Sequence, residues 1–186
     1  MAPNEYDVSA TSVGVVEEAN VLGPDRVRPG DVVIAMASSG LHSNGYSLAR
    51  HVLLDTKKLP LDGHIESLGR TLGEELLEPT RIYALDCLKL VSECDVHTFA
   101  HITGGGLAAN LGRVIPDGLT AELERSTWTP GAIFRLIQEE GQVPQEEMEK
   151  TFNMGVGMVA VVAEDDAERA MAMLTARHID AWRLGE

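Results

Sequence analysis

Apolar and polar positions along this chain switch repeatedly between a period of two and a period near 3.6. Val8 to Val16 and Asp31 to Ala37 (DVVIAMA) read as strands, joined through a turn-rich stretch holding Gly23-Pro24 and Pro29-Gly30. From Tyr46 the period changes, with Tyr46, Ala49, Leu53 and Leu48, Val52 recurring at helical spacing, which predicts a helix over Gly45 to Leu54. Further helices are expected at Leu72 to Leu77, stopped by Pro79, and at Arg81 to Ser92. A strand from Val96 to Ile102, a short helix from Leu107 to Val114, a candidate strand from Thr120 to Glu124 and a helix near Pro130 to Glu140 follow. In that last helix Ile133, Phe134, Leu136 and Ile137 face inward. The chain closes as β-α-β over Met158 to Ala163, Asp165 to Arg177 and Ala181 to Leu184.

Strands alternating with helices predict an α/β (α+β) domain of three layers, α/β/α, with a mixed sheet of about six strands covered on both faces. With 186 residues and 44% apolar content the chain supports one sizeable core, and no linker divides it, so residues 1–186 form a single domain. No run of 18 apolar residues and no secretory signal is visible, which fits a cytoplasmic protein away from the membrane. Cys87 and Cys94 lie seven apart without metal-type spacing and read as reduced core residues. A formal net charge of −14 argues against a nucleic-acid surface, which depends on dense Lys and Arg.

The densest chemistry lies in Ser38 to Ser47 (SSGLHSNGYS), between the second strand and the first helix. Small hydroxyl, amide and glycine residues there leave backbone N–H groups free at a helix start, where the dipole favours an anion. Ser43 or Asn44 as an N-cap and Gly40 as a turn residue would explain much of this without a ligand. His42 would not be needed for either purpose, and an imidazole there can donate to an anion or move a proton. A second glycine loop, Thr103 to Gly106 (TGGG), implies close backbone approach to a ligand or to another element. Gly104, Gly106 and Ala109, with Glu124 about twenty residues on, also satisfy a loose dinucleotide fingerprint. A third glycine pair, Gly155 and Gly157, reads as a β-bulge or another wall of the same pocket.

Other candidates are thinner. His97 and His101 are four apart on an apparent strand, VHTFAHI, with no carboxylate partner expected nearby, so no metal site is assigned, and His101 is placed to orient the TGGG loop. The acidic run Glu139, Glu140, Glu146, Glu147 and Glu149 reads as a solvated helix surface. Nucleophile elbow, Walker-type lysine loop and Cys/His pair are all missing, so the residues show binding loops without a complete catalytic set.

Four segments together resemble a known family. SSGLHSNGYSLAR (Ser38 to Arg50), EPTRIY (Glu78 to Tyr83), AHITGGGLAANLGRVIP (Ala100 to Pro116) and TFNMGVGMV (Thr151 to Val159) look like the C-terminal half of the phosphoribosylformylglycinamidine cyclo-ligases, or aminoimidazole ribonucleotide synthetases. The opening YDVSATSVGVVE and the closing DAWRLGE extend the likeness over essentially the whole chain. The resemblance implies an enzyme in which ATP phosphorylates the formamide oxygen of formylglycinamidine ribonucleotide, and an amidine-side nitrogen then closes the imidazole ring. Carried residue by residue, it implies that Ser39, Gly40, His42, Ser43, Asn44 and Gly45 face the substrate, with His42 as the candidate for proton handling. Thr103, Gly104, Gly105 and Gly106 would hold its phosphate or ribose end. It further implies that ATP and Mg2+ are bound mainly by an N-terminal domain absent from this chain, that MAPNEYD is an internal stretch, and that the two-domain enzyme is a homodimer. A stand-alone phosphate-ligand domain of the selenophosphate synthetase or thiamine-phosphate kinase type, and a dinucleotide-binding domain, remain as alternatives.

Overall fold

The computed structural model describes residues 8–186, and the MAPNEYD stretch lies outside them. Among the described residues six strands form, divided between two sheets: β1 (Val32–Ala37), β4 (Val96–His101), β5 (Val156–Val162) and β6 (Ala181–Gly185) in one, β2 (His64–Ile65) and β3 (Arg70–Thr71) in a small hairpin. The main sheet runs β4-β5-β1-β6 and every neighbouring pair is antiparallel, so it is not the single mixed sheet expected. The reason is that β5, formed late in the chain, inserts between β1 and β4. Those two strands share a direction without pairing.

Seven α-helices of the described residues surround the sheets: α1 (Tyr46–Arg50), α2 (Leu72–Leu76), α3 (Ala84–Glu93), α4 (Gly106–Gly112), α5 (Ala132–Gly141), α6 (Gln145–Thr151) and α7 (Glu164–Ala176). The three-layer expectation holds, because period-two alternation along β1 feeds two cores. Val32, Ile34 and Met36 pack with Leu90 of α3 and with Ala167, Ala170 and Leu174 of α7. Val33 and Ala35 point the other way, to Val159, Val161, Leu184 and Leu111 of α4. A third core lies apart from these two, where Ala49, Val52, Leu53, Leu72, Ile133, Phe134, Ile137, Met148 and Phe152 meet. There α1 continues into a π-helical turn, His51–Thr56, which turns Val52 and Leu53 inward. α2 starts on a capping box, Thr71 accepting from the Glu74 N–H while Glu74 accepts from that of Thr71.

Several expectations fail locally. Val8 to Val16 carries no strand, and Val13 and Val15 stand 90% and 102% exposed, because alternation alone does not make a strand. Thr120 to Glu124 contributes only one bridge, Leu123 to Gly185. The acidic run is split between the end of α5 and a helix not anticipated, α6, whose Met148 is fully buried. His97 does have carboxylate partners: its Nδ1 is 2.5 Å from Asp31 Oδ2 and its Nε2 3.4 Å from Asp95 Oδ2. The Gly157 bulge is present, since Met36 pairs with Met158 and Ala37 with Val156.

Candidate functional site

Because β1 and β4 run the same way on either side of β5, their C-terminal ends open at one edge of the sheet, beside the start of β5. The segments at that edge are 38–45, 102–105 and 152–155, so topology brings three separate glycine-bearing motifs together. The first two lie close together, for a Cβ built on Gly104 would stand 3.5 Å from Asn44 Oδ1. The two loops expected to share a ligand therefore adjoin.

Asn153 organises the first loop from below. It is 2% exposed; its Oδ1 accepts from Ser38 Oγ (3.1 Å) and from the Gly155 N–H (2.8 Å). Its Nδ2 donates to the carbonyls of Gly40 (2.9 Å) and Leu41 (3.3 Å). The loop is tied from the side by the EPTRIY segment: Ser39 Oγ donates to the Pro79 carbonyl at 2.7 Å, and Ser43 Oγ lies 3.0 Å from Thr80 Oγ1. Further on, the Tyr83 hydroxyl donates to the Ala37 carbonyl at 2.7 Å, closing the segment onto the end of β1. Neither Asn153 nor Tyr83 was identifiable as a loop anchor from spacing, because the loop partners of Asn153 are 112 to 115 residues away and that of Tyr83 is 46 away.

His42 sits at the centre of this arrangement, 5% exposed and with φ +59°. Its Nε2 accepts the Ser39 N–H at 3.0 Å, so the neutral ring carries its proton on Nδ1. Nδ1 is buried and without a partner. Burial, then the charges of His101 and Arg81, hold the His42 pKa down to about 4. The imidazole is thus neutral at physiological pH, with its basic nitrogen occupied and one N–H free to donate. Gly157 makes room for it: a Cβ there would meet Tyr83 Oη at 1.9 Å and His42 Cε1 at 2.7 Å. His101 is exposed, its ring 6.3 Å from that of Tyr83, which burial keeps strongly protonated.

The glycines divide by use. Gly45 is left-handed at φ +79° and its open side is filled by the Phe152 ring, within 2.5 Å of where a Cβ would stand. Gly106 packs on α6, where a Cβ would lie 1.7 Å from the Glu149 carbonyl oxygen. The Gly105 N–H is taken by the Lys150 carbonyl at 2.9 Å and the Gly106 N–H by the Thr103 carbonyl at 3.1 Å. Asn110 holds the rest of the loop, with Nδ2 donating to the Gly106 carbonyl at 2.7 Å and Oδ1 accepting from Thr103 Oγ1 at 3.1 Å. Packing and loop shape therefore account for Gly45 and Gly106; of the rest, Ser43 and Gly104 are exposed and Asn44 and Thr103 half-buried.

The dinucleotide reading fails on this geometry. The fingerprint glycines follow a strand of an antiparallel sheet, and Glu124 is engaged in capping a 3-10 turn through the Ser126 N–H at 2.9 Å. Among the described residues no group of three or more His, Cys, Asp or Glu side chains is placed to hold a metal ion. No helix among them is long and apolar enough to cross a membrane.

Comparison with known proteins follows the same lines. Residues 28–186 match the family described as "AIR synthase related protein, C-terminal domain". A phosphoribosylformylglycinamidine cyclo-ligase from Anaeromyxobacter sp. (strain Fw109-5) is 54% identical over 186 residues, all of this chain and 54% of the relative. A Streptomyces fradiae protein provisionally given the same name is 63% identical over 160 residues, 86% of this chain and 88% of its own. The chain thus spans about half the length of the Anaeromyxobacter relative and most of the Streptomyces one. Among solved structures, thiamine-monophosphate kinase from Stenotrophomonas maltophilia K279a superposes with a TM-score of 0.63 at 17% identity, covering 92% of this chain and 51% of that one. Hydrogenase maturation protein HypE in complex with ATP gives 0.55 at 20% identity, covering 92% and 46%. These two share the fold.

Proposed function

The chain belongs to the AIR synthase related family, as its C-terminal domain, and from that premise we propose that it supplies the substrate-binding half of an ATP-dependent phosphoribosylformylglycinamidine cyclo-ligase. The observation that carries the reading is that SSGLHSNG and TGGG lie side by side at one sheet edge, with Asn44 Oδ1 close to the open side of Gly104. Two loops that adjoin can hold one phosphorylated ribonucleotide between them.

In this reading Ser43, Asn44, Thr103 and the Gly104 backbone face formylglycinamidine ribonucleotide, while Ser39, Gly40, Gly45, Gly105 and Gly106 shape the two loops. His42 acts as a neutral hydrogen-bond donor to the substrate rather than as a shuttle, because its Nε2 is occupied by the Ser39 N–H. As oxygen is phosphorylated and the amidine nitrogen attacks, negative charge gathers on the transferred group, and a fixed N–H in a water-poor place stabilises it. ATP supplies the phosphoryl group and leaves as ADP, and on ring closure the former formamide oxygen departs with it as phosphate. In this reading the metal and most nucleotide contacts belong to the part of the longer relatives that this chain does not span.

The test is reconstitution. The chain is joined to the N-terminal half of the Anaeromyxobacter relative, and ATP-dependent formation of aminoimidazole ribonucleotide is followed, with each half alone as control. The reading expects turnover by the joined protein and none by the 186-residue chain. Turnover by the chain alone, or none by the joined and folded protein, would overturn it.

A further inference from the structure

Three buried side-chain nitrogen atoms among the described residues have no hydrogen-bond partner: His42 Nδ1, Arg81 Nη1 and Trp182 Nε1. Two of the three belong to one place. The segment that carries Arg81 is tied through Pro79 and Thr80 to the His42 loop, and the charge of Arg81 helps to lower the His42 pKa. Its position is fixed at either side, by Ser39 on the Pro79 carbonyl, Ser43 against Thr80, and Tyr83 on the Ala37 carbonyl.

Arg81 also forms no ion pair among the described residues, in a chain with 29 acidic side chains. Arg70, on the neighbouring hairpin, shows the usual outcome: it takes Glu75 and Glu78, each at 2.6 Å. Those pairs draw off two acids of the adjoining segment, so Arg81 is left as an uncompensated cation. A guanidinium N–H and an imidazole N–H, both shielded from water and both lacking an acceptor, make a pair of donors waiting for one. Shielding from water also makes an ionic hydrogen bond there strong.

We propose that Arg81 and His42 together form an oxyanion site that receives a phosphoryl group, with Arg81 Nη1 and His42 Nδ1 donating to its oxygens. A tetrahedral dianion suits donors held on separate loops, and a rigid guanidinium suits phosphate. Access requires the loops to part, and the exposed Ser43 to Thr80 hydroxyl contact is the weakest of the ties that hold them. The inference rests on the proposed function only for the molecule that carries the phosphoryl group: the ribose 5-phosphate end of the substrate or the γ-phosphoryl of ATP.

Calorimetric titration of the 186-residue chain with inorganic phosphate, ribose 5-phosphate and ATP tests it, using Arg81→Met and Arg81→Lys and checking each fold by its thermal melt. Saturable binding of phosphate is expected, weakened at least about tenfold in Arg81→Met and partly restored in Arg81→Lys. The 15N signal of His42 Nδ1 should move in the wild type as phosphate saturates. Dependence on Arg81 for ribose 5-phosphate alone identifies the substrate end, and for ATP alone the γ-phosphoryl. Unchanged affinity in a folded Arg81→Met protein, no saturable binding by the wild type, or a His42 signal that stays still would overturn the site. In the joined two-domain protein, turnover with KM for both substrates indifferent to Arg81→Met would sink this inference and leave the cyclo-ligase reading standing. Arg81-dependent phosphate binding without any ring closure would do the reverse.

Discussion

Replacing Asn153 by alanine should loosen the first loop while leaving the sheet intact. The side chain makes four hydrogen bonds, two accepted from Ser38 Oγ and the Gly155 N–H, two donated to the Gly40 and Leu41 carbonyls. Ser38 Oγ can rotate to another partner, which leaves one N–H and two carbonyls short. Each buried group left unpaired costs about 1–3 kcal/mol, and the Leu41 contact at 3.3 Å is long, so the low end applies. The sum is about 3 kcal/mol, which in a domain of this size lowers Tm by about 6–12 °C. Urea titration at pH 7.5 measures the loss, and amide hydrogen exchange locates it. Protection should fall most at residues 38–42 and least in β4 and β5. Asn153→Asp keeps the acceptor but sets a carboxylate against two carbonyls, so it should cost at least as much. A loss below about 1 kcal/mol, or one spread evenly over the sheet, would refute the anchoring role.

The glycines of the second loop separate packing from function. Gly106→Ala drives a Cβ into the Glu149 carbonyl and should destabilise by more than about 3 kcal/mol in denaturant. Gly104→Ala meets only Asn44 at van der Waals distance, so it should leave stability within about 1 kcal/mol of wild type and weaken phosphorylated ligands by crowding the gap, as calorimetry would read. The His42 pKa of about 4 lies below its ordinary 6.5, so between those pH values the unfolded chain binds a proton that the folded one does not. Stability contributed by neutral His42 is therefore complete above pH 6.5 and lost as pH falls toward about 4, by at most about 3 kcal/mol. Denaturation at pH 7.5 and 4.5 in wild type and His42→Gln should show a shallower pH dependence in the variant, and equal slopes would contradict the assignment.

Periodicity located most elements because their buried faces are local. Ile133, Phe134 and Ile137 mark α5, and the β1 alternation marks the sheet. α6 was hidden by its charge: in QEEMEKT only Met148 turns fully inward, and the usable signals were Pro144 before it, Glu146 and Glu147 in its first turn and Lys150 in its last. Val8 to Val16 failed in the opposite direction, since a period of two describes one side of a ladder and says nothing about the other. The sheet order could not be read because β5 enters between two strands formed far earlier. At the site, loop composition pointed to SSGLHSNG and TGGG, yet the same composition overstated Gly45 and Gly106, whose demands come from Phe152 and Glu149 more than forty residues away in both cases. Arg81 and Asn153 were visible only as letters within motifs, for their roles depend on what each side chain meets or fails to meet in the folded chain.

The central claim is that the two loops serve one ligand. Amide chemical-shift mapping of the 15N-labelled 186-residue chain, titrated with formylglycinamidine ribonucleotide, tests it most directly. Ser43, Asn44 and Gly104 should shift together along one saturation curve, with His97 and its neighbours at the far end of the sheet unmoved. Separate curves for the two loops, or a response confined to one of them, would contradict the account.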